Sequence, residues 1–239
     1  MRKIIIEAHR GARAEAPENT LAAFQRALDL KAPSIELDIH PSADGTLMVI
    51  HDDTLDRTTD GAGPVAALVL RDLRKLDAGA KFQTGFAGER IPTLNEVMGR
   101  VAPTPTLLNI EIKRPPPGMR VAEGVVQLLR HYGKAGRYVV SSFDADALLA
   151  VRRLAPEVQL ALIGEAADVL ARARELRLPW IHCSHPSLTA ELVRQAHEAG
   201  IHVGAWTVND TQQARHWAAC GVERVITDDP RAMLALELS

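Results

Sequence analysis

Cysteine is almost absent. Cys183 and Cys220 are the only two in 239 residues, too few for a disulfide framework and without metal-ligand spacing, so reduced thiols are expected. Aromatic residues make up only 4% of the chain, and no apolar run approaches the roughly 20 residues of a membrane span. The N-terminal Met1-Arg-Lys-Ile-Ile-Ile6 offers three consecutive aliphatics before Glu7, short of a signal-peptide core. With Met1 as the native start, a cytoplasmic protein without stable membrane association is expected. An excess of one charge sign is also lacking: 28 Lys and Arg against 30 Asp and Glu leave a net charge of −2. Such a balance gives no pull toward nucleic acid. Missing too is a G-x-G-x-x-G phosphate loop in the first turn, which argues against an open doubly wound sheet.

What is present is apolar material for a core, 46% of residues, in a chain the size of one α/β barrel domain, residues 1–239. Strand and helix patterns alternate along it. Ile4-Ile-Ile6 is a short apolar strand, Asn19-Thr20 can cap a helix carrying Leu21, Phe24 and Leu28, and 34–40 alternates as a strand. Further strands read at 106–112, 137–141, 159–163, 180–183, 202–206 and 224–227. Helices read at 119–133, 144–154, 166–176 and 189–199, then after Asn209 and Gln212, which resemble a capping box, and after Asp229-Pro230. Eight strand–helix pairs define a (β/α)₈ TIM barrel. One connection is too long: about fifty residues separate His51 from Thr106. Thr93 and Glu96 form a capping box for the second barrel helix, so residues 52–90 are expected to be a small inserted subdomain near the active-site face.

Polar residues gather at the strand ends. Glu36 and Asp38, two apart on one strand, share a face. Glu111 ends the neighbouring strand, and oxygen-only ligands favour a hard cation, Mg²⁺ or Ca²⁺. His9 and His51 flank this cluster in a manner suited to proton transfer. Arg10 and Lys113 supply positive charge for an anion, Ser142-Phe143 follow the fourth strand, and Trp206 offers a flat apolar wall. Together these describe phosphoryl chemistry.

The ordered fragments His9-Arg10-Gly11, Pro17-Glu-Asn-Thr20, Ile35-Glu-Leu-Asp38, Asp44-Gly45, His51-Asp52, Arg57-Thr-Thr59, Ile91-Pro-Thr-Leu94, Asn109-Ile-Glu-Ile-Lys113, Ser142-Phe143, Trp206-Thr-Val-Asn209 and Ile226-Thr-Asp228 resemble the glycerophosphodiester phosphodiesterase family nearly end to end. Lys31-Ala-Pro33 and Ser42 depart from the family pattern without touching a catalytic group. The resemblance implies hydrolysis of a small-molecule glycerophosphodiester to an alcohol and sn-glycerol 3-phosphate with one divalent metal ion. It implies Glu36, Asp38 and Glu111 as metal ligands and His9 and His51 as the acid–base pair. Arg10 and Lys113 would then contact phosphate, with Trp206 and Phe143 as substrate walls. His9 is taken as base and His51 as acid, although spacing does not set that direction, and water or the glycerol 2-hydroxyl could attack. Alternatives on the same scaffold are a phospholipase D-like or phosphoinositide-type phosphodiesterase, or a non-catalytic binding barrel. Asp52 could orient His51 or end its strand, and His40 is unassigned; His182 and His185, at the end of the sixth strand, could touch substrate but are expected rather to pack in the core or a loop. The pattern specifies no oligomeric state.

Overall fold

The computed structural model describes residues 4–83, 85–114, 120–133 and 135–236. In chain order it contains β1 (Ile5–Ala8), α1 (Leu21–Asp29), β2 (Ser34–Pro41), β3 (Leu47–Val49), α2 (Leu70–Leu73), α3 (Leu94–Val101), β4 (Leu107–Ile112) and α4 (Val121–Tyr132). There follow β5 (Tyr138–Ser142), α5 (Ala145–Leu154), β6 (Gln159–Gly164), α6 (Ala166–Leu176), β7 (Trp180–Ser184), α7 (Ala190–Glu198), β8 (His202–Trp206), α8 (Thr211–Ala219), β9 (Arg224–Thr227) and α9 (Pro230–Leu234). Residue 119, the expected start of the helix observed as α4, lies outside the described residues, as does the Met1–Lys3 stretch weighed as a leader.

Eight strands pair in parallel as a closed ring, β1-β2-β4-β5-β6-β7-β8-β9, with β1 bonded to both β2 and β9. This is the expected barrel. The stretch after Gly45 adds a ninth strand that the sequence pattern did not announce: β3 folds back antiparallel on β2, with Ile39 opposite Val49. That hairpin brings His51 back to the rim beside the carboxylates of β2.

Local chemistry explains the helix starts. The Thr20 hydroxyl accepts from the Ala23 N–H, and Thr93 and Glu96 form both halves of a capping box. Asp229 caps α9, with Pro230 in its first turn. The expected Asn209–Gln212 box is corrected: Asp210 is the cap of α8 and accepts from the Gln213 N–H. Asn209 is spent elsewhere, donating through Nδ2 to Asp228 and accepting through Oδ1 from the Thr227 hydroxyl and the Asp228 N–H.

The main apolar core lies between strands and helices, where Ile35, Leu37 and Ile39 of β2 are wholly buried against residues such as Phe24, Leu94 and Leu108. Each such side chain contributes about 1.5–3 kcal/mol. A second cluster of Met48, Ile50, Leu55, Val65, Leu73, Ala78 and Ile91 packs the segment 52–90 over β3. Inside the ring the filling is unusual. Where barrels ordinarily stack Val, Ile and Leu, this one buries Glu7, Ser34, Asn109, Ser141, His182 and Arg224. Glu7 pairs with Arg224, accepts from Ser34 at 2.5 Å and from Asn109 at 2.9 Å, and Ser141 donates to Asn109 at 2.8 Å. Arg224 also lies over the Trp180 ring, 5.2 Å from its centroid.

Candidate active site

The tight β1–α1 turn builds the first side of the site. Arg10 has φ +55° and Gly11 φ +81°, and a Cβ on Gly11 would lie 2.7 Å from the Ala23 backbone. Only glycine fits there. The bend places the Arg10 N–H on Glu36 Oε2 at 2.9 Å and its Nε 3.3 Å from Asp38 Oδ2. Asn19, read from sequence only as a capping residue, donates to Asp38 Oδ2 at 2.8 Å.

The register of β2 against β4 sets Asp38 beside Glu111. One carboxylate oxygen from each of Glu36, Asp38 and Glu111 lies within 4.8 Å of the others, and all three groups are buried. Lys113 Nζ stands 2.8 Å from Asp38 Oδ1 and 2.5 Å from Glu111 Oε1. Burial opposes ionisation of Asp38, but Lys113 and then Arg10 overcome it and hold its carboxyl well below the usual range. Burial, then Asp38, pushes Glu111 up to about 7, and burial, Asp38 and Glu111 raise Glu36 well above its ordinary value. Three carboxylates thus face two cations, and Glu36 Oε1 is buried with no hydrogen-bond partner among the described residues. A bare, buried oxygen in an all-oxygen acidic cluster fits a hard divalent cation.

Each histidine is held by an acid. His9 Nδ1 lies 2.7 Å from Asp228 Oδ1, and His51 Nδ1 lies 2.6 Å from Asp52 Oδ1. The partner acids are ionised: the Arg57 hydrogen bond, helped by His51, depresses Asp52 strongly, while at Asp228 burial is outweighed by His9, Asn209 and Arg13 together. A carboxylate only accepts, so Nδ1–H donates and Nε2 is left for a reactant. Asp52 is therefore the orienter of His51. Arg57 grips Asp52 at 2.7 Å and Glu18 at 2.8 Å, and Glu18 also pairs with Arg10 at 2.8 Å. A continuous chain of charges thereby runs from the segment 52–90 to the β1–α1 turn. His40 Nε2 donates to the His51 carbonyl at 3.0 Å, bracing the same corner.

His9, Arg10, Glu36, His51, Glu111, Lys113, Phe143 and Trp206 line one cavity of about 110 Å³, and Asp38 lies buried beneath Lys113. Every residue selected from sequence is brought to this mouth. Phe143 and Trp206 stack edge to face, 5.8 Å between centroids, with Lys113 Nζ 6.0 Å from the Phe143 ring. Sequence reasoning assigned no role to Asp228, Glu18, Glu7 or Arg224. Asp228 did carry a signal, as the last residue of Ile226-Thr-Asp228. His182, expected to pack, also lines the cavity, from its floor.

A parallel barrel whose mouth gathers a buried acidic triad, two carboxylate-braced histidines and two cations belongs with the phosphoric ester hydrolases. Comparison with known proteins narrows the class. The family model described as "Glycerophosphoryl diester phosphodiesterase family" matches residues 9–232, and the chain belongs to that family. It is 39% identical to the glycerophosphodiester phosphodiesterase of Caldanaerobacter subterraneus subsp. tengcongensis, over 98% of each chain. Among solved structures it superposes with TM-score 0.92 on an Oleispira antarctica phosphodiesterase in complex with the product sn-glycerol-3-phosphate, at 30% identity, covering 98% of this chain and 96% of that one. A glycerophosphodiester phosphodiesterase from Agrobacterium tumefaciens gives TM-score 0.84 at 32% identity, with 99% and 100% covered.

Proposed function

We propose that this glycerophosphodiester phosphodiesterase cleaves small, water-soluble glycerophosphodiesters to an alcohol and sn-glycerol 3-phosphate by two-histidine acid–base catalysis with one divalent metal ion, Mg²⁺ or Ca²⁺. The carrying observation is the buried trio Glu36, Asp38 and Glu111 beside two histidines whose Nδ1 atoms are both tied to carboxylates. Glu36, Asp38 and Glu111 would hold the ion. When bound, it supplies positive charge to the phosphoryl oxygens during displacement.

The chain's own groups do the rest. Arg10 and Lys113 draw in the anionic diester and neutralise the charge that builds on phosphorus-bound oxygens. His9 Nε2, aimed by Asp228, takes the proton of the attacking water or glycerol 2-hydroxyl. His51 Nε2 delivers a proton to the leaving alkoxide. In the resting site burial, aided by Lys113 and Arg10, holds His51 below its ordinary range. A bound phosphate monoanion offsets those two cations, so protonation of His51 accompanies substrate binding. Phe143 and Trp206 wall the substrate, and residues 52–90 act as an inserted subdomain that carries Arg57 to the rim. A cytoplasmic location is consistent with two free thiols, Cys183 buried and Cys220 partly so. Among the described residues no helix is long and apolar enough to cross a membrane.

Purified protein incubated with glycerophosphocholine and Mg²⁺ or Ca²⁺ is expected to release glycerol 3-phosphate, and EDTA to abolish the release. Turnover unaffected by exhaustive chelation would remove the metal from the scheme; no release under any divalent ion would remove the activity. The metal needs ionised carboxylates, and Glu111 titrates at about 7. Metal affinity is therefore expected to climb as pH rises toward that value and to level off above it, measured by calorimetry across pH 5.5–8.5, roughly the window in which Glu111 loses its proton. Affinity that is flat over this range contradicts the assignment of Glu111.

A further inference from the structure

We propose that His182 reads a hydroxyl of the substrate's glycerol moiety and so sets the preference for glycerol-bearing diesters, an inference that rests on the function proposed above. His182 lies in the middle of β7, 1% exposed, on the floor of the cavity that His9, His51, Glu36 and Glu111 line. Its Nε2 is buried with no hydrogen-bond partner among the described residues. Native proteins leave few buried polar atoms bare, and each such atom calls for a partner from outside the chain. The neighbouring floor groups each have a partner within the chain: Asn109 donates to Glu7, and Ser141 donates to Asn109. Of the floor side chains Asn109, Ser141 and His182, the imidazole is the one with a buried polar atom that has no partner among the described residues.

The backbone reserves space for this ring. Gly204 of β8 stands opposite His182, and a Cβ there would lie 2.6 Å from His182 Cδ2. Burial, reinforced by Arg224, drives the imidazole pKa down to about 3, so the ring is neutral and offers one donor and one acceptor nitrogen. A hydroxyl both donates and accepts, and it satisfies Nε2 in either tautomer. The shape of the cavity says which end of the diester arrives there. Its floor is closed by buried residues, while its mouth opens at Phe143, which is 56% exposed. With the phosphoryl group held at the level of Glu111 and Lys113, the compact glycerol fits the floor, and the variable alcohol points to solvent.

The test compares glycerophosphocholine with bis(p-nitrophenyl) phosphate, a diester that has no glycerol, in wild type, His182→Ala and His182→Gln. In His182→Ala the ratio of kcat/KM values, glycerol diester over aryl diester, is expected to fall about 10- to 100-fold, with much of the change in KM. His182→Gln, which returns an amide near Nε2, should recover part of it. Gly204→Ala, whose methyl displaces the ring, should lower the ratio as well. A merely structural histidine would slow both substrates together. A ratio within about twofold of wild type in all three variants overturns the proposal, since a lost buried hydrogen bond costs more than that. Should His182→Ala fail to fold, His182→Gln and Gly204→Ala decide the matter. Equilibrium binding separates this inference from the function it rests on: affinity for sn-glycerol 3-phosphate relative to inorganic phosphate should drop in the variants even if wild type proves to turn over neither diester. An unchanged relative affinity would equally overturn the role of His182.

Discussion

His51→Ala is expected to lower kcat for glycerophosphocholine by about 10²–10⁴-fold, and His9→Ala by a similar factor. Both side chains sit at the mouth, 32% and 13% exposed, so their removal leaves the apolar core intact. The two variants should differ in how they respond to the leaving group. Choline leaves as an alkoxide that needs a proton, whereas p-nitrophenolate leaves without one. If His51 is the acid, a glycerophosphodiester of p-nitrophenol should restore much of the activity of His51→Ala and little of that of His9→Ala. The opposite pattern exchanges the two roles. Because the pair acts as a unit, the double variant should be little slower than the worse single one. Retention of near-parental turnover by both single variants would sink two-histidine catalysis.

Arg224→Met should destabilise the fold by about 3–5 kcal/mol, the cost of stranding a buried charge. Glu7, left behind, is wholly enclosed and would keep only Ser34 and Asn109. The companion Glu7→Gln variant, which strands Arg224, should lose a comparable amount. Combining the two should cost clearly less than their sum, because neither charge is then unpaired. Strict additivity in urea unfolding would show that the pair is not coupled. The same layer makes the protein sensitive to acid. Burial raises Glu7, yet Arg224, with hydrogen bonds from Ser34 and Asn109, outweighs it, so its folded pKa lies below the unfolded 4.5. Its contribution is present above 4.5 and fades as pH falls through the lower folded value. His182 titrates at about 3 when folded and 6.5 when not, so the unfolded chain takes up that proton first between those values. Both groups make stability fall on acidification. Glu36 and Glu111 act in the opposite sense without metal, since their raised folded values bind protons earlier than the unfolded chain does. Unfolding from pH 7 to pH 4 is therefore best followed with metal present, and a midpoint that stays constant would contradict this account.

Much of the architecture was legible because its signals are local. Alternation at Ile35, Leu37 and Ile39 marks β2, and the Thr93–Glu96 pair marks the start of α3 after the long connection. The two failures had separate causes. Asn209 looked like a helix cap until the fold offered it Thr227 and Asp228, and Asp210 capped α8 instead. The short β3 was hidden because three residues carry too little periodicity to distinguish a strand from an apolar run.

The order and chemical types of the site residues, and the alternation that builds eight strands, were determined by the sequence alone, since strand and helix periods are properties of neighbouring residues. Tertiary structure decided which partners those residues obtained. His9 meets Asp228 across 219 positions, and Glu7 meets Arg224 across 217. Both pairings exist because β1 closes the ring against β9. The charge state of each acid likewise followed from the assembled barrel: Lys113 and Arg10 depress Asp38 against its burial, while burial and the neighbouring carboxylates raise Glu36 and Glu111. Solvation and Coulomb energy depend on distances through space, and no spacing along a chain encodes them.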